Sequence, residues 1–267
     1  MGLNRTARKV LQRMVETQPL GNVLTLGRQR IYFNSTRYEY REYCERYLLD
    51  MGARSVDSVD ISDYEGCTYV ADLNSDVVGE GILNAGHYDT VLDLGTTEHI
   101  FDLQSVNRNI KNLLALGGRV LHVLPANNFC GHGFYQFSPE YFNAIYAERN
   151  GYKLDLLAVS CVNSERLFAV DIRDGKRCNL RSIRGLSVIA VGKNESKDLV
   201  SSAVQSDYAY LHSDDGSSSS NGCTKRFVKK ILKKSNRASA VVFRIYDLWS
   251  VFCMYFFKLN NHLKRIR

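Results

Sequence analysis

The sequence predicts an α/β fold built on a seven-stranded, mostly parallel sheet with helices on both faces. Three observations lead there. Short apolar runs recur along the body of the chain and alternate with helical or loop segments. Most of these runs end on or beside a polar residue, often an aspartate. Glycine and proline punctuate the boundaries between runs and helices. Right-handed crossovers between such units set the strand ends, and their acids, along one edge of the sheet.

Residues 6–17 carry Ala7, Val10, Leu11, Met14 and Val15 at helical spacing, and Pro19 and Gly21 end that helix. Residues 22–26 form a short strand that stops at Gly27. Asn34 or Ser35 can cap a second helix running to about Met51, with Gly52 as its stop. Its tyrosines, Tyr38, Tyr40, Tyr43 and Tyr47, read as packing surface. Residues 55–61 make the second strand, with Asp60 near its end, and residues 68–71 the third, with Asp72 just past it. Residues 88–92 make the fourth, and a polar turn containing Asp93 leads from it to Glu98-His99, where a helix is expected to begin.

A helix over 103–116 is ended by Gly117-Gly118, and residues 119–124 make the fifth strand, closed by Pro125. The loop 127–137 holds His132 between Gly131 and Gly133. Ser138-Pro139 starts a helix to about Arg149, because serine caps and proline suits the first helical position. Residues 154–161 and 186–191 complete the seven strands, and the polar segment between them reads as peripheral.

The chain has 267 residues, 45% of them apolar, enough for one substantial core with an appendage. Its net charge of +7 is unevenly placed: residues 216–267 hold twelve Lys or Arg and one acid, whereas the body is net acidic. A basic tail on an acidic body points to an anionic surface and away from a nucleic-acid binder. Three units follow: a body over 1–212, a Ser/Gly-rich flexible linker over 213–222, and a basic, aromatic helical tail over 223–267. Residues 240–257 of the tail admit three readings: a helix lying on a membrane, one spanning it, or one packing on the body or on a second subunit of a homodimer. Seven scattered cysteines without zinc-like spacing imply reduced intracellular thiols and no metal. No secretory signal opens the chain, so a cytoplasmic protein, peripheral at a membrane through its tail, is expected.

Several stretches carry a resemblance. Tyr88-Asp89-Thr90-Val91-Leu92 followed by Glu98-His99-Ile100, and Leu116-Gly117-Gly118-Arg119-Val120-Leu121 leading to Pro125, are similar in content and spacing to two segments of the class I S-adenosylmethionine-dependent methyltransferases. Asp60 and Ser62 resemble that family's acid and serine at the second strand end, and Ala71-Asp72-Leu73 its adenine-facing segment. The glycine-rich loop after the first strand departs from the pattern: of Thr25-Leu26-Gly27-Arg28-Gln29-Arg30, Gly27 alone matches. The resemblance implies a Rossmann-like fold and S-adenosyl-L-methionine as cofactor. It implies ribose hydroxyls on Asp60, the adenine on Asp72 and Leu73, and Asp93 at the cofactor edge, with the methionine end at Gly27. Arg28 is then the candidate to hold the cofactor carboxylate by a charge-assisted bond.

Methyl transfer to a hydroxyl needs an aligned acceptor and a group to take its proton, and histidine suits that near neutrality. His132 is the first candidate and His99 the second, with Tyr135 and Gln136 as acceptor contacts. The reading is O-methylation of a small-molecule, sugar or glycan-type acceptor. A non-catalytic methyltransferase-like scaffold, attached to a membrane by the tail, is the alternative.

Overall fold

Asn4 closes the two-residue strand β1 (Leu3–Asn4) and its side chain accepts the Ala7 N–H, which starts helix α1 (Arg5–Thr17). The computed structural model describes residues 2–162, 164–172, 178, 180, 182–197, 203, 205 and 263–266. The chain continues through β2 (Gly21–Leu26), β3 (Ile31–Tyr32), α2 (Glu45–Asp50), β4 (Ala53–Asp60), β5 (Tyr69–Val70) and β6 (Tyr88–Asp93). Next come α3 (Leu103–Leu113), β7 (Leu114–Asn127), α4 (Pro139–Ile145), β8 (Tyr152–Cys161), β9 (Leu167–Val170), β10 (Leu186–Asn194) and β11 (Leu263–Ile266).

The main sheet has the order β11-β9-β8-β10-β7-β6-β2-β4-β5. β2, β4, β5, β6 and β7 run parallel, while β10 is antiparallel to both β7 and β8. This is a Rossmann-like arrangement. The order reverses at β2, with β4 and β5 to one side and β6 and β7 to the other. In open α/β sheets such a reversal opens a crevice at the carboxyl ends of the strands.

Successive side chains point to opposite faces, so a doubly covered strand is apolar throughout. Leu24, Leu26, Val91, Val120 and Leu124 join α3 and α4 residues such as Val106, Ile110 and Phe142 in one core layer. Val23, Leu92, Leu121 and Val123 join Val10, Leu11 and Leu48 of α1 and α2 in the other. Helices therefore cover both faces, as the sequence predicts.

Several elements differ from expectation. The predicted helix from Asn34 is helical only over Glu45–Asp50. Its first half is held instead by β3: the Ile31 N–H bonds Glu42 O and the Arg41 N–H bonds Ile31 O, with Arg41 in the left-handed region at φ 72°. The helix expected at Glu98-His99 is a single 3-10 turn, Thr97–His99, and α3 starts where Asp102 accepts from Gln104 and Ser105 N–H. Pro125 does not close β7, because β10 shifts register between Leu186 and Ser187 opposite it, and a bulge there tolerates the missing N–H. Among the described residues the sheet has nine strands rather than seven: β9 forms inside the segment read as peripheral, and β11, within the tail read as helical, pairs with it. The linker at 213–222 and the helix at 240–257 lie outside the described residues. Among the described residues no helix is long and apolar enough to cross a membrane.

Candidate active site

The loop after β2 sits at the sheet's reversal. Gly27 has φ +70°, and its N–H bonds Val59 O at 2.7 Å. A Cβ there would stand 2.8 Å from Thr96 Oγ1, so glycine is needed both for the backbone angle and for the close approach. Asp60, at the end of the adjoining β4, receives the Arg28 N–H at 3.3 Å on Oδ2 and no other side-chain hydrogen bond among the described residues. Asp60 is half-buried, and its remaining lone pairs have no partner among the described residues.

Arg28 is placed differently from expectation. Its Nε donates to Glu45 at 2.7 Å, Nη1 donates to the carbonyls of Glu65 and Gly66, and its guanidinium lies 3.8 Å from the centre of the Tyr43 ring. It ties the loop after β2 to the turn after β4 instead of facing an unpaired anion. Gln29 and Thr96 both donate to Leu26 O and so seal the end of β2.

Asp72 is exposed, and its Oδ1 takes the Asn74 backbone and side-chain donors at 2.9 and 2.7 Å. Leu73 is buried in the α3 and α4 core layer, so it does not offer a surface to an adenine ring. Asp93 is also corrected. It is 0% exposed and its carboxylate accepts from Thr96 N, Thr97 N, Thr97 Oγ1 and His122 Nδ1. His122 Nε2 in turn meets the Tyr146 hydroxyl. Because a carboxylate only accepts, His122 Nδ1 must be the donor to Asp93. Burial raises the Asp93 pKa, but the His122 and Thr97 hydrogen bonds outweigh it and hold the carboxyl below its ordinary range. Asp93 thus braces the turn after β6 from inside, with its carboxylate engaged by four internal donors.

That turn carries Glu98 and His99, and the loop after β7 carries His132. Phe134 and Tyr135 N–H both donate to Glu98 O, which clamps the loop onto the turn. Gly133, at φ +73°, permits this: a Cβ there would lie 2.6 Å from Glu98 O. The Phe129 N–H donates to Gln136 Oε1, so Gln136 closes the loop on itself. His132 Nε2 stands 3.3 Å and His99 Nε2 3.9 Å from Glu98 Oε1, with the imidazoles edge to face at 4.8 Å. The Glu98 side chain is 0% exposed, whereas those of His99 and His132 are 48% and 37% exposed. The Glu98–His132 separation suits an ion pair, yet its geometry makes no hydrogen bond, and both Glu98 carboxyl oxygens lack a hydrogen-bond partner. Burial, with the nearby Asp93 charge, pushes the Glu98 carboxyl up to about 8. Burial also lowers both histidines, which keeps their imidazoles neutral near pH 7. Phe101 and Phe134 stand exposed beside this cluster, edge to face at 5.9 Å.

The structure thus brings His132 and His99 together around Glu98, and Gly27 and Asp60 together at the neighbouring strand ends. Two cavities of about 280 and 290 Å³, lined around Tyr141 and around Arg149, include no residue of the loops after β2, β4 or β6. The strand-end chemistry is the better guide, because it joins the sheet's reversal to convergent polar groups. Glu98 is the residue sequence reasoning missed. It adjoins His99 in a matched segment, but only the fold shows that its carboxyl is buried.

No protein-family model matches the chain, and no curated protein matches it. Among solved structures, a protein of Bacillus halodurans classed as a methyltransferase is 10% identical, with 70% of this chain and 98% of that one covered at a TM-score of 0.45. An S-adenosylmethionine-dependent methyltransferase from Mesorhizobium loti is 12% identical, covering 71% and 97%, at 0.42. The 1,6-didemethyltoxoflavin-N1-methyltransferase of Burkholderia thailandensis, with bound 1,6-didemethyltoxoflavin and S-adenosylhomocysteine, is 13% identical, covering 72% and 78%, at 0.43.

Proposed function

We propose that the chain is an S-adenosylmethionine-dependent methyltransferase acting on an oxygen of a small-molecule, sugar or glycan-type acceptor. The observation that carries this reading is Asp60. It ends β4 beside the sheet's reversal and the left-handed Gly27, and takes one hydrogen bond, from the Arg28 N–H, among the described residues. An acid in that position suits the paired hydroxyls of a ribose. Asp72 keeps Oδ2 for an adenine amino group. Asp60 and Asp72 are thus the residues that would meet the ribose and the adenine amino group, while Leu73 is buried away from the ring. The methionine half would be received by the backbone around Gly27, since Arg28 is engaged with Glu45 and the 65–66 carbonyls.

When bound, the cofactor supplies an electrophilic methyl group on a sulfonium. The chain's own work is to hold the acceptor in line and to deal with its proton. Phe101 and Phe134 offer an apolar surface for the acceptor's body. The neutral imidazole of His132, on the loop after β7, can take a hydroxyl proton as the oxygen gains its methyl group.

The test is calorimetry with S-adenosylhomocysteine on the whole chain and on Asp60→Ala. Binding to the unaltered chain that weakens in the variant is expected. Absence of binding to the unaltered chain overturns the proposal. One observation favours a second reading, a methyltransferase-like protein without catalysis: Gln29 and Thr96 seal Leu26 O, and Arg28 spans the mouth of the loop. That reading gains if the unaltered chain binds no cofactor product.

A further inference from the structure

We propose that Glu98, His99 and His132 form a binding site for one divalent transition-metal ion of zinc-like preference. The donors come from two elements that the backbone locks together. The turn after β6 supplies Glu98 and His99, and the loop after β7 supplies His132. Phe134 and Tyr135 N–H on Glu98 O fix one element to the other, and the His132 N–H on Phe129 O fixes the loop's inner turn.

The spacing fits an ion. One ligand atom from each of the three residues can be chosen so that all lie within 4.8 Å of one another. Tetrahedral ligands about 2.0–2.2 Å from a metal stand about 3.4 Å apart. The Glu98–His132 edge is already 3.3 Å, the Glu98–His99 edge at 3.9 Å needs to close by about half an ångström, and the widest separation in the set, 4.8 Å, by about 1.4 Å. Side-chain rotation of two partly exposed histidines can supply that.

Glu98 is the independent observation. Its side chain is wholly buried, both carboxyl oxygens lack a hydrogen-bond partner, and so does His132 Nε2. Buried polar atoms are normally satisfied, and a buried charge is normally paired or bound to metal. An ion between Oε1 and the two imidazoles satisfies the orphaned atoms on both sides at once.

The donor set selects the ion. Two imidazoles and one carboxylate suit zinc, cobalt, nickel or ferrous iron, while magnesium and calcium prefer oxygen-only shells. Three protein donors also leave a coordination position open, as catalytic sites do. An acceptor oxygen taking that position would be activated by the ion in place of a free His132. That last step rests on the proposed methyl transfer; the metal site itself does not.

The experiment titrates the full, metal-stripped chain with Co2+, followed by visible absorption and calorimetry, and then displaces it with Zn2+. One ion per chain with a ligand-field band is expected. Loss of an outer-shell partner alone costs about 10–100-fold in metal affinity, so His132→Ala and Glu98→Gln should each weaken binding by at least about tenfold. His87→Ala, remote and exposed, and Cys130→Ser, two residues from His132, should bind as the unaltered chain does. No binding by the unaltered chain, equal binding by His132→Ala, or loss confined to Cys130→Ser overturns the assignment. Should Glu98→Gln fail to fold by circular dichroism, His99→Ala and His132→Ala, both partly exposed, decide the matter by the same criterion. Retained S-adenosylhomocysteine binding without metal binding would overturn this inference alone.

Discussion

Replacing Asp93 with alanine is expected to remove about a fifth or more of the body's stability. The carboxylate is wholly buried and accepts four hydrogen bonds, from Thr96 N at 3.1 Å, Thr97 N at 3.2 Å, Thr97 Oγ1 at 2.6 Å and His122 Nδ1 at 2.7 Å. Hydrogen bonds to a charged group contribute about 1.5–3 kcal/mol each when taken singly, but four on one carboxylate are not additive. Removing one member of a buried charged network destabilises by about 3–5 kcal/mol, and that is the figure expected here. Typical domains have about 5–15 kcal/mol in total, so the variant should still fold at 25 °C but weakly. Urea unfolding followed by circular dichroism reads this as a lower midpoint with unchanged slope. A slope of about 2–3 kcal/mol per molar places the shift near 1–2.5 M. A shift worth less than about 1 kcal/mol would show that the network does not carry the turn after β6. The same group sets the acid limb. Its folded pKa is depressed, so its stabilisation is complete above the unfolded carboxyl range and is lost as pH falls through the folded value. Asp93→Asn should therefore flatten the loss of stability below about pH 4.

Other substitutions separate the scaffold from the site. Gly133→Ala combines a left-handed backbone with a contact of 2.6 Å to Glu98 O, so a loss of about 1–3 kcal/mol in urea unfolding is expected, together with weaker metal binding. Asp60→Ala should lower S-adenosylhomocysteine affinity by about tenfold or more while its thermal midpoint stays near that of the unaltered chain; an unchanged affinity would remove the ribose assignment. Arg28→Ala should do the reverse, lowering the midpoint through the lost Glu45 and 65–66 contacts by about 1 kcal/mol and changing cofactor-product affinity less than Asp60→Ala does. Leu92→Ala, buried at the centre of the sheet, should cost about 2–5 kcal/mol by chemical denaturation.

The central sheet was legible because its signals are local. Doubly buried strands such as Val91-Leu92 and Val120-Leu121 read as continuous apolar runs, and glycine or a capping residue marks most boundaries. The stretch around Tyr32 to Tyr43 was not, because Arg41 takes a left-handed angle that no sequence pattern announces and β3 supplies the hydrogen bonds a helix would have used. At the site, the residue types were readable and their directions were not. Asp60 and Asp93 both end strands, yet one is half-buried with a single hydrogen bond from Arg28 and the other turns inward to His122. A histidine inside the apolar run 119–124 was the available sign that a buried partner existed. Glu98 shows the same limit from the other side: a glutamate in a polar turn looks solvated until the Phe134 and Tyr135 N–H clamp the loop after β7 onto its carbonyl and its side chain is found buried.

The placement of β10 bears on how the chain is made. β10 lies between β7 and β8 and pairs antiparallel with both, so β8 has no direct seam with β7. During synthesis the parallel strands through β7 emerge first, and one edge of β7, with Val120, Leu121, Val123 and Leu124, must wait for residues 186–194 to leave the ribosome. An uncovered apolar edge in a nascent chain invites pairing with a neighbouring copy. Between the emergence of residues 127 and 194 that edge of β7 has no strand to pair with.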